Sequence, residues 1–504
     1  MEEKLKENSI KNTFFFSFGT FVSRITGLIR DALLSRHFGV SPEYDAFMAA
    51  ILIPFFLRKI FAEGALSSVF VPLYSKKRSK SEKEAFEFAS NVFTVFFVIT
   101  LVIVILSELF TPQLVRFFTT GFRDERFEIT VKLFRITFPF VTLVNLWAIA
   151  YGILNSHFSF LIPALSPSIS NLTMIVGILI SPLLTVPILG PAYGFTVGGF
   201  CQFVILIYWL KKLGYSYRFK FKLSELNEFF RLFLYSSIGL SISQINSLID
   251  LNLASRLPEG SVSVLQYANR LFQFPLGVFG VAVATTALPV FSRLEDPQSR
   301  RETFMKAFRN LLFFVLPSFV VLLILRTDIT SLIFQGGKFT HEDTLKTSKV
   351  LFFYLLGMPF YAYYGLVARL HQAVKDHLTV TKATIWMVGV NVVLNLMLYK
   401  RMGPGGLALA TSVAGIAGVI RLNISSLKKK LIEFKMDNEL LKILSANFIL
   451  TFSTIFLSRY SKTNSGLLVI LFLLGGMYIF FLKVFKNTEN EEFLKIFKDL
   501  FKKR

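Results

Sequence analysis

The sequence predicts an all-α polytopic membrane protein: fourteen transmembrane helices, arranged as two parallel-repeat six-helix lobes plus two extra C-terminal helices. Three observations carry this reading. Hydrophobic residues make up 53% of the 504 residues and charged residues 17%, whereas a water-soluble surface needs about a quarter charged residues. Mean hydropathy is +0.57, and apolar runs long enough to cross a hydrocarbon core recur along the whole chain. The third observation is an internal duplication. Together these exclude a soluble enzyme, a disordered chain and a disulfide scaffold. The lone Cys201 and five scattered histidines argue against a Cys/His metal cluster.

Apolar runs bounded by loop signals place the spans at 12–37, 45–73, 85–110, 128–153, 160–184, 187–211 and 227–256 in the first half. They continue at 260–291, 305–335, 346–372, 378–400, 404–426, 438–459 and 464–486. None shows the ten-residue alternation of a membrane barrel strand. Lys4, Lys6 and Lys11 precede the first run, which is too long for a signal peptide, contains Arg24 and lacks a small-residue cleavage site. It reads as the first membrane helix.

The net charge of +23 is distributed by topology. Basic clusters fall in 76–83, 211–222, 293–309 and 421–435, all even-numbered connections, while 182–190 and 256–262 carry little charge. The positive-inside rule then puts both termini of a multi-pass membrane protein in the cytoplasm. Basic residues split among short loops offer no continuous face for nucleic acid.

The first and seventh helices match without gaps at an offset of 220, with nine identities in twenty positions from Ser17/Ser237 to Arg36/Arg256. Val71–Lys76 and Leu288–Arg293 are alike, as are Gly190-Pro191 and Gly403-Pro404. The expected divisions are therefore an N-lobe at 1–222, a C-lobe at 223–430, two further helices at 431–488 and an amphipathic cytoplasmic tail at 489–504. Six spans per copy leave both copies in one orientation, as in parallel-repeat transporters.

Charges inside apolar runs need a reason, since each costs roughly 2.5–3.5 kcal/mol at the bilayer centre on insertion scales. Arg24, Arg30 and Asp31 lie in the first helix, Asp45, Arg58 and Glu63 in the second, and Arg270 in the eighth. Four arginines from three helices suit an anion, because a guanidinium fork matches phosphate oxygens. Asp31 would balance their charge when no anion is bound. The structural alternative for any single arginine is snorkelling or an ion pair. In the second half, Asp250, Asn391, Asn395 and Thr411 offer one carboxylate with amide and hydroxyl oxygens, a hard-cation donor set for which Na+ is the natural guess. Interhelical hydrogen-bond glue is the equal alternative. Gly194/Gly198 and Gly415/Gly418 read as close packing, and the aromatic run from Phe352 to Tyr364 as packing or interfacial belt. No nucleotide, zinc or triad motif is present, so no cofactor is expected beyond that ion.

These residues carry a resemblance. Ser23-Arg24-Ile25-Thr26-Gly27-Leu28-Ile29-Arg30-Asp31 is similar to the first-helix signature of the MurJ (MviN) lipid II flippases. Asp45-Ala46-Phe47, Leu57 to Ala65, and Tyr267-Ala268-Asn269-Arg270-Leu271 with Phe274-Pro275 resemble that family as well. The resemblance implies the multidrug/oligosaccharidyl-lipid/polysaccharide exporter fold. It also implies movement of lipid II, a peptidoglycan precursor, to the outer leaflet by alternating access. It assigns Arg24, Arg30, Asp31, Arg58 and Arg270 to a cavity for the diphosphate and sugar head group, with Ser35 and Ser263 lining it. It makes Asp45 and Glu63 functional, gating acids, and gives the last two helices a groove for the polyprenyl tail. A Na+ site is implied at Asp250, Asn391 and Thr411, but Asn395 stands where an acid is expected. Membrane lipids and cell-wall synthesis proteins are the further partners implied. The rival readings are a cation-coupled exporter of another lipid-linked oligosaccharide or of drugs on the same fold, and a non-transporting scaffold for cell-wall enzymes.

Overall fold

In hydrocarbon, backbone N–H and C=O groups have only each other as partners, so an apolar chain of this length folds as helices. The computed structural model describes residues 2–60, 66–461 and 463–502, with side chains described from 19 to 495 apart from 67, 238–240 and 242–243. Glu63 lies outside the described residues. Among the described residues the chain is helical throughout, and its one extended pairing is the bridge between Gly336 and Phe339. Among the described residues, ten helices are long and apolar enough to cross a membrane. A pair bent by 41°, His341–Leu355 with Met358–Ala373, is an eleventh candidate. The protein is thus a multi-pass helical membrane protein. The three other expected spans fall on segments that include residues outside the described set.

The chain forms two compact units. The first comprises residues 1–263 with 336–339. Its helices are α1 (Glu2–Phe38), α2 (Pro42–Arg58), α3 (Ser67–Arg78), α4 (Glu82–Leu109), α5 (Thr111–Phe118), α6 (Asp124–Thr137), α7 (Phe140–Ser156), α8 (Leu161–Ile180), α9 (Leu189–Lys212) and α10 (Asn227–Ser255). Local chemistry sets several boundaries. Ser41 caps α2 by accepting from the Tyr44 amide, with Pro42 in the first turn where its missing N–H costs nothing. The expected span 128–153 is two helices, α6 and α7, meeting at Phe138-Pro139. A proline there cannot donate to the preceding turn. Gly194 and Gly198 let α9 close on α8: a Cβ at Gly194 would stand 2.5 Å from the Thr173 carbonyl oxygen. Small residues at such interfaces let helix backbones approach in lipid.

The second unit comprises residues 264–335 and 340–504. It holds α11 (Ser261–Pro275) beyond its first turn, α12 (Val281–Arg293), α13 (Pro297–Ile324), α14 (Arg326–Phe334), α15 (His341–Leu355), α16 (Met358–Ala373), α17 (His377–Met402), α18 (Pro404–Lys428), α19 (Asn438–Leu457), α20 (Asn464–Val484) and α21 (Thr488–Lys502). A π-turn at Leu276–Gly280 follows Pro275 and joins α11 to α12. The tail helix α21 does not simply float. Glu489 bonds Arg309 at 2.5 Å, Glu492 pairs with Lys306 at 2.6 Å, and the Phe493 ring packs on Phe313 and Phe314 of α13.

Candidate functional site

Helix α1 carries the densest polar group in the first unit. Arg30 and Asp31 are both buried, at 9% and 7% exposure. Successive helix positions do not face one another, yet here the guanidinium folds back onto its neighbour. Its Nη2 and Nε donate to Asp31 Oδ1 at 2.6 and 3.0 Å. Its Nη1 donates to Asn171 Oδ1 of α8 at 2.8 Å. Asn171 in turn donates to the Ser23 carbonyl at 3.0 Å and to Thr26 Oγ1 at 3.1 Å, clamping α8 to α1 around the arginine. A buried ion pair holds only when its remaining donors are met, and Asn171 meets one of them. Arg24 is half-buried one and a half turns earlier. Arg58, at the end of α2, has its guanidinium 5.8 Å from the ring centroids of both Phe55 and Trp147, an aromatic bracket that retains the charge. Ser35 is fully buried, and its hydroxyl donates to the Ala32 carbonyl of its own helix.

A second centre lies where α2 begins. Asp45 is completely buried. Its Oδ1 accepts from the Ser263 amide at 2.7 Å and the Ser263 hydroxyl at 2.6 Å, and its Oδ2 accepts from the Gly260 amide at 2.7 Å. Those amides are orphan donors of the first turn of α11. Asp45 therefore caps a helix far from it in sequence, with its negative charge at the positive end. Arg126 of α6 approaches Asp45 Oδ2 at 3.4 Å and stacks over Phe122 at 4.2 Å. It also reaches the Gly121 and Ser255 carbonyls at 3.5 and 3.4 Å.

Two turns rest on the ends of α1 and α10. Lys338 donates its amide to the Arg36 carbonyl at 2.8 Å, and a Cβ on Gly337 would sit 2.1 Å from that oxygen. Gly121 donates its amide to Ser255 Oγ at 3.1 Å, and a Cβ there would sit 2.2 Å from the Ser255 carbonyl. Arg36 and Arg256, with Ser35 and Ser255, are equivalent positions of the repeat.

In the second unit, Asn395 donates to Asn391 Oδ1 at 2.8 Å and Asn391 to Thr411 Oγ1 at 3.4 Å. Thr411 donates to the Leu407 carbonyl at 3.0 Å. The three side chains meet, and they are neutral and bonded to one another. As hard oxygen donors they fit a small cation only with an added carboxylate. Asp250 belongs to α10 of the first unit, where it is partly buried. Among the described residues no cluster of three His, Cys, Asp or Glu could hold a metal. Arg270 is exposed on α11, five residues before Pro275.

Sequence reasoning missed Asn171 and Arg126. An asparagine in an apolar run is a weak signal, and Arg126 sits in an Asp-Glu-Arg stretch that reads as a solvated loop. Only the packing of α8 on α1, and of α6 beside the α10–α11 turn, gives them partners.

A family model described as the lipid II flippase MurJ matches residues 34–496. The chain is 39% identical over 488 residues to the probable lipid II flippase MurJ of Thermotoga maritima, covering 97% of this chain and 99% of that one. It is 38% identical to the lipid II flippase MurJ of Thermosipho africanus, covering 96% and 98%. A solved structure of a lipid II flippase MurJ in an inward closed conformation superposes with a TM-score of 0.82 at 38% identity, covering 94% of this chain and 98% of that one. An inward-facing multidrug transporter of the MATE family superposes with a TM-score of 0.64 at 15% identity, a likeness of fold alone.

Proposed function

From the premise that this chain belongs to the MurJ lipid II flippase family, we propose that it carries lipid II from the inner to the outer leaflet of the bacterial cytoplasmic membrane. It is a transporter. The observation that carries this reading is likeness over nearly the entire length of both chains.

In this reading twelve of the fourteen helices form two six-helix lobes, with both termini in the cytoplasm, where the basic connections lie. Arg24, Arg30, Arg58 and Arg270 serve the diphosphate, with Ser35 and Ser263 beside it. Asp31 neutralises Arg30 until an anion competes for the guanidinium. The exchange is feasible because one carboxylate oxygen takes both of its N–H contacts, and a diphosphate offers the same fork more oxygens. Asp45, together with Glu63, acts in gating: release at the outer surface requires the Asp45 cap on α11 to open. Residues 431–488 form the groove for the polyprenyl tail. Asn391, Asn395 and Thr411, with Asp250 supplying charge, are the proposed Na+ donors, and Na+ dependence of transport lost in Asp250→Ala is its test.

The substrate is tested by complementation in cells depleted of their own lipid II flippase. The native chain is expected to restore growth and outer-leaflet lipid II, and Arg24→Ala and Arg270→Ala to fail at normal protein levels. Normal outer-leaflet lipid II with both arginines removed would refute the proposed head-group site.

A further inference from the structure

A second site, apart from the arginines, lies on the first unit at the end that carries the basic connections. The chain leaving α9 does not trail into solvent there. Tyr215 is buried, and its hydroxyl lies 3.0 Å from Ser90 Oγ of α4. Tyr217 reaches Thr94 Oγ1 at 2.8 Å. Asn91 donates to the Lys222 carbonyl at 2.9 Å and accepts from the Lys222 amide at 3.0 Å, so the strand-like segment 214–222 is stapled along α4. These bonds give Ser90, Asn91 and Thr94 of α4 their partners.

The stapled segment walls off a cavity of about 730 Å³. Phe93 and Phe97 of α4, Leu146 of α7, and Phe203 and Ile207 of α9 form its apolar sides. Lys211 is the charged residue of the lining. Phe97 is 45% exposed at its edge, and along α9 Phe200 and Val204 are exposed, at 55% and 44%. Apolar side chains bare on membrane helices face lipid, so the cavity opens where acyl chains are the surrounding solvent. Its cationic end lies at the level of a basic loop. The volume is that of a site for a small amphiphile.

We propose that this cavity binds an anionic phospholipid of the inner leaflet, its acyl chain against Phe93, Phe203 and Ile207 and its phosphate on Lys211. Three features select that ligand. The apolar walls exclude a free anion, which would lose its hydration for a single cation. The neighbouring Lys212 is turned onto the rings of Tyr208 and Trp209, at 4.7 and 4.8 Å, leaving Lys211 as the head-group contact. The staple keeps the wall built before any lipid arrives, so little ordering cost opposes binding.

The test uses the full chain in phosphatidylethanolamine vesicles doped with phosphatidylglycerol bearing a photoreactive acyl chain, or with a matched phosphatidylcholine probe. Crosslinks are mapped by peptide mass spectrometry. Labelling is expected within 203–217 and 93–97, favouring the anionic probe about five-fold, the preference one interfacial lysine supplies. Ile207→Trp, which fills the cavity, is expected to abolish that label. Lys211→Gln, an exposed change that cannot unfold the chain, is expected to equalise the two probes. Label absent from these segments, unaffected by Ile207→Trp, or equal for both probes in the native chain overturns the proposal.

Discussion

Ser263 donates both its amide and its hydroxyl to one oxygen of Asp45, at 2.7 and 2.6 Å, with Asp45 completely buried. A carboxylate so placed is stable only while those donors are present, and hydrogen bonds to a charged group are worth about 1.5–3 kcal/mol each. A double-mutant cycle with Asp45→Asn and Ser263→Ala, read by thermal unfolding in detergent, is expected to give a coupling of about 1–3 kcal/mol. Additive single effects would mean that the cap does not hold the turn.

Asn171 touches no proposed substrate group directly but orients Arg30. Asn171→Ala is expected to lower outer-leaflet lipid II by about ten-fold, the loss of one charge-assisted hydrogen bond. Arg30→Lys should be at least as damaging, because an ammonium cannot fork between Asp31 and Asn171. Wild-type transport in Asn171→Ala would remove it from the site.

Gly121 and Gly337 have backbone oxygens where a methyl group would stand. Gly337 also has φ +55°. Alanine at either is expected to cost about 1–3 kcal/mol through strain and displacement of the turn. Gly475 of α20 has nothing within 4 Å of its would-be Cβ. Gly475→Ala should instead raise the unfolding midpoint, since glycine inside a helix is weaker than alanine by about 0.5–1 kcal/mol.

Asp376 lies in the connection between α16 and α17. Partial burial pushes its carboxyl up, but Lys429 at 2.5 Å, Thr379 at 2.9 Å and His371 at 2.7 Å outweigh this and hold it well below the usual carboxylate range. A depressed folded value means that its stabilisation is complete above the unfolded value of about 3.9 and is lost as pH falls through the lower folded value. Unfolding midpoints of the native chain should therefore be insensitive to this group from pH 7 to about 4 and fall below that. Asp376→Asn should lower the midpoint at neutral pH and flatten the acid decline. An unchanged acid limb in that variant would assign the decline to other carboxylates.

The class of protein was legible early because hydrophobic length is a one-dimensional property. The runs expected to end at 110, 211 and 486 agree with the helix ends at Leu109, Lys212 and Val484 to within a few residues. The breaks at Phe138-Pro139 and after Pro275 were less visible, because proline inside a long apolar run is tolerated in many membrane helices. The site was partly legible. Arg30, Asp45 and Asn391 stand out as polar residues in apolar surroundings, but what each of them bonds to does not.

Hydropathy, loop charge and the repeat from Ser17 to Arg256 determined the solvent this chain inhabits, its helical class and its internal duplication, since each depends on residue type and spacing alone. Tertiary structure decided that Arg30 is tied to Asp31 and Asn171, that Asp45 caps α11, and that Tyr215 and Tyr217 wall a cavity against α4. Those bonds join residues between 1 and 218 positions apart. Hydrogen bonds act over less than 3.5 Å, so which donor meets which acceptor is settled by how the helices pack.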